Sequence, residues 1–305
     1  TAFVLPGQGS QTVGMLSEFA SHYPIVTQLF AQASEVLGYD LWKLVQQGPA
    51  EQLNQTERTQ VAMLTADVAI FQLLLQHQFP QPEMMAGHSL GEYAALVAAE
   101  ALPFMDAVEL VAARAKIMQS AVPLGQGAMA AIVGLPDDVV VDLCKQATDA
   151  SALVTPANFN AIGQVVVAGH LLAVERVLAL ATAQDARLAT LIPVSVPCHC
   201  PLLAEASAVF EGFLAKAPFK KPSIDVISNV DLSTYDSPQH IRDKLKEQLY
   251  SPVRWVETIQ LFKNKGIEQV IECGPGKVLS GLIKRIDKQL SIINIYDTIS
   301  PDKGV

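Results

Sequence analysis

The motif Gly87-His88-Ser89-Leu90-Gly91 restricts the possible folds of this chain more than any other feature. An apolar segment, MMAG, leads into it, and a helix-forming segment, AALVAA, follows it. In this setting G-x-S-x-G is typical of a sharp strand-to-helix turn, in which the two glycines permit close backbone approach. The turn exposes the serine hydroxyl at a helix N-terminus, where backbone N–H groups stabilise negative charge. Ser89 is therefore a candidate nucleophile; a serine that only N-caps an ordinary helix is the alternative.

The rest of the chain alternates predicted strands and helices, which indicates an α/β fold. Residues 61–75 are apolar and contain neither glycine nor proline, so they predict a buried helix. The same reasoning predicts strands at 2–6, 83–87, 224–228 and 269–273, and helices at 89–99, 239–249, 253–265 and after the turn at 274–276.

A different order of elements begins after residues 122–127, where a proline and two glycines end a helical stretch. The order β-α-β-β-α-β that follows is typical of a ferredoxin-like fold. We therefore expect a ferredoxin-like small subdomain at 125–195, inserted into a large α/β-hydrolase-like catalytic subdomain formed by 1–124 and 196–305. The elements predicted within the insertion are strands at 128–133, 153–159, 164–168 and 187–192 and helices at 137–148 and 171–184.

Charge and composition exclude several classes of protein. The formal net charge of -9 argues against a general nucleic-acid binder, which needs clustered lysine and arginine. No apolar run approaches the roughly 20 residues of a membrane span, so we expect no membrane association. The sequence begins without a basic leader, and its four cysteines are too sparse for a disulfide framework. A reducing cytoplasm is the expected location.

A serine nucleophile needs a general base, and histidine is the usual one at neutral pH. His199 lies in VPCHCP, a short segment fixed by two prolines, and rigid segments of this kind hold catalytic side chains well. His88 adjoins the serine, so we expect its side chain to point elsewhere. The other histidines lie in helical or polar turn sequence, where packing, capping or solvent contact is expected: His22, His77, His170 and His240.

The triplet Cys198-His199-Cys200 raises the alternative of a metal site. Adjacent side chains alternate in direction, whereas zinc ligands are usually separated by roughly two to four residues. We therefore expect no metal at this position.

The N-terminal segment LPGQGSQ is a glycine-rich turn after a predicted strand. It lacks the Lys-Ser/Thr pair of a P-loop and the third glycine of a dinucleotide-binding motif. We expect it instead to direct a backbone N–H towards the active site, as half of an oxyanion hole.

Several motifs in a fixed order form a more specific pattern: PGQGSQ, GHSLGE, an arginine 25 residues after the serine, GAMAAIVGL, VPxHC, EQLYSPVRW and ECGPGKVLSGLIKRI. Together they resemble the malonyl-CoA:acyl carrier protein transacylases of bacterial fatty acid synthesis, nearly end to end. The resemblance implies an acyltransferase that moves malonyl from malonyl-CoA to the phosphopantetheine thiol of acyl carrier protein. The expected route is ping-pong, through a malonyl-serine intermediate, and it supplies extender units for fatty acid synthesis.

The resemblance also implies roles for individual residues. Ser89 is the acylated nucleophile, and His199 is the base. Gln248 is the residue whose backbone orients the histidine in place of an aspartate. The backbone N–H groups of Gln8 and Leu90 form the oxyanion hole.

Arg114 matches the family arginine that pairs with the free carboxylate of the malonyl group. A guanidinium suits this role because its planar fork can meet a carboxylate bidentately. A surface arginine is the alternative, although few acids lie near it in this Ala-rich sequence. The resemblance further implies pocket residues and contacts to the pantetheine arm: Gln60, Met118 and Met129 for the pocket, and Asn158 and Asn160 for the arm.

The chain departs from the family pattern at two positions. Cys198 replaces the usual serine before the histidine, and we expect little effect because both residues are small. Arg187 is followed by Leu188, where many relatives have a Lys-Arg pair near the coenzyme. The contacts to the CoA phosphates therefore stay open.

The implied partners are malonyl-CoA and acyl carrier protein, with no metal or redox cofactor. Acyl carrier proteins are acidic and this chain is itself net negative, so docking requires a local basic surface. The candidates lie near the C-terminus, and a solvated helix surface is the alternative explanation for them. They are Lys263, Lys265, Lys277, Lys284 and Arg285.

Two other functions fit parts of the pattern. An α/β-hydrolase esterase or thioesterase shares the serine turn, but normally has a late histidine and often an HGGG-type loop. Here the last histidine is His240 and no such loop occurs. A catalytically silent carrier-binding module would keep the fold, but intact Ser89, His199 and Arg114 argue against it. The sequence leaves open whether malonyl is preferred over methylmalonyl.

Overall fold

The structure, a computed structural model, describes residues 1–194 and 196–295. It has a mixed α/β architecture with two separate sheets. The larger sheet is parallel and contains β1 (Ala2–Leu5), β2 (Met84–Gly87), β7 (Asp225–Ile227), β8 (Gln269–Glu272) and β9 (Ser291–Asn294). Its strand order is β7-β2-β1-β8-β9.

The smaller sheet is antiparallel and lies between β2 and β7 in the chain. Its strands are β3 (Gly127–Val133), β4 (Val154–Ala161), β5 (Gln164–His170) and β6 (Leu188–Leu191), in the order β4-β5-β3-β6. The helices are α1 (Ser17–His22), α2 (Pro24–Leu37), α3 (Leu41–Gln47), α4 (Ala50–Leu53), α5 (Thr56–Gln76), α6 (Gly91–Ala98), α7 (Phe104–Ala121), α8 (Asp137–Ala147), α9 (Leu171–Ala183), α10 (Ala204–Leu214), α11 (Pro238–Gln248), α12 (Trp255–Asn264) and α13 (Val278–Ile286).

Strand β1 shows how the parallel sheet is buried on both faces. Successive side chains of a strand point to opposite faces, and a parallel sheet covered by helices on both sides favours continuous apolar strands. Phe3 and Leu5 pack into the core that contains α2, α5 and α7, whereas Ala2 and Val4 pack against α12 and α13. This double burial explains why the strand is apolar at every position.

Strand β5 divides in the same way between two environments. Val165 and Val167 pack with α8 and α9 in the core of the smaller sheet. Val166 and Ala168 face the other way and join a small apolar cluster with Met129. The second face of the smaller sheet is therefore turned towards the functional cleft described below.

Most predicted elements occur close to their predicted bounds. Helix α5 extends from Thr56 to Gln76 and is longer than the predicted 61–75. Strand β9 and helices α1 to α4 were not predicted. Ser195 and residues 296–305, which the subdomain prediction includes, lie outside the described residues.

Helix α5 also corrects the expectation about apolar runs. By length and composition alone, this helix could cross a membrane. However, 83% of its apolar window is buried inside the protein. It packs against α2, α6 and α7, so its apolar surface belongs to the core.

Candidate active site

Loops after three neighbouring parallel strands meet at one edge of the larger sheet. Gln8 follows β1, Ser89 follows β2 and Asn229 follows β7. The carboxyl ends of parallel strands share an edge, which is where open α/β sheets usually bind ligands. The Asn229 side chain ties this edge together: its Oδ1 accepts from the Ser89 backbone N–H at 2.7 Å, and its Nδ2 donates to the Gly87 carbonyl at 2.7 Å.

The predicted sharp turn is present between β2 and α6. Ser89 has a φ of 53°, in the left-handed region that non-glycine residues rarely adopt. A Cβ on Gly87 would lie 1.8 Å from the Gly91 carbonyl carbon, and a Cβ on Gly91 would lie 2.0 Å from the Leu5 carbonyl oxygen. Both glycines are therefore required by the close approach of the backbone.

His199 lies beside the serine. Its Nε2 is 2.7 Å from Ser89 Oγ, and its Nδ1 is 2.8 Å from the backbone carbonyl of Gln248. A carbonyl can only accept, so Nδ1 carries the proton and Nε2 is left to accept from the serine hydroxyl. The geometry suits removal of the serine proton by His199.

The backbone holds His199 in an unusual conformation. The residue has a φ of 59°, and its N–H donates to the Leu249 carbonyl at 3.0 Å. Only 3% of the residue is exposed. Burial, followed by the positive charge of Arg114, lowers the pKa of His199 to about 3, although the Gln248 carbonyl acts in the opposite direction. The imidazole is therefore neutral at physiological pH.

Arg114 is a buried part of the site, which excludes the surface alternative. Only 1% of it is exposed. Its Nη1 donates to Gln60 Oε1 at 2.6 Å, and its Nη2 donates to Gln248 Oε1 at 3.0 Å and lies 3.5 Å from Ser89 Oγ. Gln60 in turn donates from Nε2 to Met118 Sδ at 3.6 Å. The guanidinium thus lies directly behind the nucleophile.

The same network contains a buried carboxyl group that was not predicted. Glu92 is 0% exposed and accepts hydrogen bonds from the Tyr235 hydroxyl, the Asn229 backbone N–H and the Gln248 side-chain amide. Glu92 is the last residue of the GHSLGE motif, and this position beside the nucleophile could have identified it as a site residue. Tyr235 and Asn229 had no signal, because they belong to a loop far away in the chain.

A cleft of 180 Å³ opens in front of the serine. Met129, Asn158 and Asn160 line it, whereas Gln60 and Met118 lie buried behind Arg114. The complete lining is Gln8, His88, Ser89, Met129, Asn158, Asn160, Val166, Ile192, Val194, Cys198 and His199. The cleft therefore lies between the two sheets.

His88 also lines this cleft, and its side chain points to Asn160 and not to the serine, as we expected. Its Nε2 is 2.7 Å from Asn160 Oδ1, and its ring centroid is 5.3 Å from that of Trp255. Burial lowers the pKa of His88, which keeps the ring neutral. The contact links the serine turn of the larger sheet to β4 of the smaller one.

The two backbone groups expected to form an oxyanion hole flank the serine. Gln8 lines the cleft, and Leu90 directly follows Ser89. Across residues 1–194 and 196–295, neither backbone N–H donates a hydrogen bond. Both donors are thus open to an oxygen that develops negative charge near the serine.

The two cysteines beside His199, Cys198 and Cys200, are free thiols. No group of three or more metal-ligating side chains occurs in the described part of the chain. Cys198 lines the cleft, and burial raises its pKa to about 11; burial likewise raises the pKa of Cys200 to about 12. Both sulfurs therefore stay protonated at neutral pH.

The basic residues near the C-terminus differ in their surroundings. Lys263 pairs with Asp287 at 2.6 Å, so its charge is offset locally. Lys284 and Arg285 are exposed in the last turn of α13, and Arg285 donates to Gln164 on β5. The end of α13 thus places exposed positive charge against the smaller sheet.

Comparisons with known proteins show the family of this chain. The family model for the acyl transferase domain matches residues 2–300. The malonyl CoA-acyl carrier protein transacylase of Escherichia coli strain K12 is 53% identical over 285 residues, which cover 93% of this chain and 92% of that protein. An acyl carrier protein S-malonyltransferase from Vibrio cholerae, solved at 1.7 Å, has a TM-score of 0.95 at 51% identity and covers 99% of this chain and 98% of its own. A malonyl-transacylase in complex with its type II PKS acyl-carrier protein has a TM-score of 0.96 at 47% identity, with coverage of 98% and 96%.

Proposed function

This chain belongs to the acyl transferase domain family, and we propose on that premise that Ser89, His199 and Arg114 carry out malonyl transfer. The enzyme moves malonyl from malonyl-CoA to acyl carrier protein, as the names of its relatives state for them. One observation carries the assignment of residues: a buried guanidinium lies 3.5 Å from the oxygen of a serine that is paired with a neutral histidine. A site that only hydrolysed neutral esters would gain nothing from this buried charge.

The first half-reaction loads the enzyme. His199 Nε2 takes the Ser89 hydroxyl proton as Oγ attacks the thioester carbonyl of malonyl-CoA. The tetrahedral oxyanion accepts from the backbone N–H groups of Gln8 and Leu90. The carbon–sulfur bond then breaks, and the sulfur takes the proton from His199, so that CoA leaves as the thiol and Ser89 carries the malonyl ester.

The second half-reaction runs the same chemistry in reverse with another thiol. The phosphopantetheine thiol of acyl carrier protein gives its proton to His199 and attacks the ester carbonyl. Ser89 leaves and recovers its proton, and malonyl departs as a thioester on the carrier. The exchange is a ping-pong reaction without net redox change, so it requires no metal or redox cofactor.

Arg114 recognises the free carboxylate of malonyl. An acetyl group would leave the buried guanidinium without this partner, which is costly. The substrate carboxylate also offsets the positive charge that helps to lower the pKa of His199. Binding of the correct acyl group therefore makes His199 a stronger base at the moment when it is needed.

The remaining residues position these groups. The Gln248 backbone orients His199, and Gln60 with Met118 supports Arg114 from behind. Met129 bounds the acyl pocket. Asn158 and Asn160 are polar groups of the cleft that face the arm of the arriving thioester.

We also propose a finer description of the fold. The large subdomain (1–124 and 196–305) is α/β-hydrolase-like, because a serine turn follows a strand of a parallel sheet. The small subdomain (125–195) is ferredoxin-like, which is supported by its β-α-β-β-α-β order and the antiparallel strand order β4-β5-β3-β6. A cytoplasmic location fits an enzyme of this pathway with buried free thiols.

Intact-mass analysis tests the proposed function. The purified protein is mixed briefly with malonyl-CoA and quenched in acid, alongside Ser89→Ala and Arg114→Ala. We expect one malonyl adduct on wild type, none on Ser89→Ala, and loss of the preference for malonyl over acetyl in Arg114→Ala. Steady CoA release without carrier protein would instead indicate a thioesterase, and absence of both adduct and CoA release would indicate a silent module.

A further inference from the structure

Glu92 is a buried carboxyl group that the proposed reaction does not use directly. It lies in the first turn of α6, three residues after Ser89, and is 0% exposed. Burying a carboxylate is costly unless hydrogen bonds or charges compensate it. Donors from two separate segments of the chain converge on it, and each of them leads back to the site.

The first connection leads to the serine turn. The Asn229 backbone N–H lies 3.3 Å from Glu92 Oε1 and 3.4 Å from Oε2. The side chain of Asn229 bonds the Ser89 N–H and the Gly87 carbonyl. Through Asn229, Glu92 therefore stabilises the left-handed backbone conformation of Ser89.

The second connection leads to Arg114. Gln248 Nε2 donates to Glu92 Oε2 and, at 3.0 Å, to the Ser89 carbonyl, whereas Gln248 Oε1 accepts from Arg114 Nη2 at 3.0 Å. An ionised carboxylate can only accept hydrogen bonds, so it requires the NH₂ of this amide to face it. The amide oxygen is thereby turned towards the guanidinium.

We infer that Glu92 is a positioning residue for malonyl recognition: by fixing the orientation of the Gln248 amide, it holds Arg114 ready to receive the substrate carboxylate. The inference rests on the proposed function, since it concerns the same acyl group. Within residues 1–194 and 196–295, no salt bridge joins Arg114 to an acidic side chain. Glu92 is the acid connected to it, through one neutral amide.

The charges around Glu92 make this arrangement sensitive to pH. The titratable groups that face it are Tyr235, Tyr93 on the same helix, and Arg114 on α7. Burial raises the pKa of Glu92 to about 7, against the opposing effects of Tyr235, Gln248, Asn229 and Arg114. A protonated Glu92 loses its negative charge and can itself donate, so it holds the Gln248 NH₂ less firmly and leaves the Ser89 carbonyl as the remaining full acceptor of that NH₂. The KM for malonyl-CoA therefore rises as the pH falls below about 7.

The substitution Glu92→Gln tests this role. The new amide has one oxygen where the carboxylate has two, so it places a donor against either the Gln248 NH₂ or the Asn229 backbone N–H, and the network that holds Gln248 against Arg114 is weakened. Loss of a hydrogen bond to a charged group predicts a rise of about tenfold in the KM for malonyl-CoA. We expect kcat to change much less, and the rise in KM at acidic pH to be absent. His199, with a pKa of about 3, does not titrate in this range.

The substitution Tyr235→Phe provides a second measurement that keeps the carboxyl group. It removes a donor that lowers the pKa of Glu92, so the acid-side rise in KM should move to higher pH. This shift decides the question if Glu92→Gln does not fold.

Two outcomes separate the inference from the proposed function. If wild type forms the malonyl adduct on Ser89 but Glu92→Gln has an unchanged KM at every pH, Glu92 has only a structural role and the inference is overturned. An equal loss of kcat for all acyl groups, without a change in KM, overturns it as well. If wild type forms no adduct, the proposed function fails and the inference fails with it.

Discussion

The Nδ1 of His199 lies 2.8 Å from the backbone carbonyl of Gln248, so a neutral group orients this imidazole where many serine enzymes use a carboxylate. A carbonyl fixes the tautomer but supplies no full negative charge to stabilise the imidazolium. The nearby charge is instead positive, from Arg114. The basicity of His199 therefore depends on which group pairs with the Arg114 guanidinium.

Removal of the base should abolish rapid acylation. We expect His199→Ala to slow single-turnover CoA release by about 10²- to 10⁴-fold, because no other group is in place to take the serine proton. The matched control is His240→Ala, a partly buried histidine paired with Asp236 away from the cleft, which should leave the rate unchanged. Equal rates in His199→Ala and wild type would contradict the assignment of the base.

The charge of Arg114 should be measurable at His199. Arg114→Gln removes a positive charge that lowers the pKa of His199, so the imidazolium is less disfavoured and the pKa should rise. Nitrogen NMR of the labelled imidazole across a pH titration measures it. Lys116→Gln, on the exposed side of the same helix, is the control and should leave the pKa of His199 unchanged. A pKa that falls or stays constant in Arg114→Gln would exclude electrostatic coupling between the two residues.

Stability should depend on a second buried acid, Asp67 on α5. Both of its carboxyl oxygens lack a hydrogen-bond partner among the described residues. Burial, followed by Glu272, raises its pKa well above the usual value. The unfolded chain releases this proton near pH 4 and the folded chain retains it, so stability falls as the pH rises from about 4 towards the folded pKa.

Asp67→Asn should remove this dependence. We expect its free energy of unfolding to exceed that of wild type by an amount that grows with pH and reaches about 1–3 kcal/mol near pH 8. Urea unfolding at about pH 5.5 and about pH 8 measures it, with the exposed Asp225→Asn as control. The same difference at both pH values would show that Asp67 is not protonated in the fold.

Carrier docking should depend on the end of α13. Replacing Lys284 and Arg285 together by alanine should raise the KM for acyl carrier protein much more than the KM for malonyl-CoA, because only the carrier presents a large acidic surface. The control replaces Lys220 and Lys221 together by alanine, which removes the same charge from another exposed position and should change neither KM. Equal effects on both substrates would rule out α13 as the docking surface.

The sequence predicted the parts of the site that lie in local motifs. The strand, turn and helix around Ser89 follow from two glycines and the apolar segments beside them, which are short-range signals. The proline-flanked loop identified His199 among the histidines for a similar reason. The roles of Arg114 and Gln248 came from the resemblance alone, since neither has a local pattern that distinguishes it from an ordinary helix residue.

The rest depends on long-range packing that one sequence does not encode in any window. Asn229 reaches Ser89 only because β7 pairs beside β2, and Tyr235 reaches Glu92 through the same pairing. The partner of His88 could not be predicted either, because Asn160 belongs to the neighbouring sheet. Strand β9 was missed although it is as long as β1, β2 and β8, which were predicted.

The size of the cleft has a consequence for the choice of donor and acceptor. Its 180 Å³ is well below the roughly 300 Å³ at the lower end of drug-sized pockets. A cleft of this volume is too small for a whole coenzyme A, so we expect the nucleotide to stay outside while the acyl end reaches Ser89. Coenzyme A and acyl carrier protein end in the same phosphopantetheine thiol arm. A small cleft that contacts only this arm can therefore accept both. Discrimination between coenzyme A and the carrier protein then depends on residues around the entrance of the cleft.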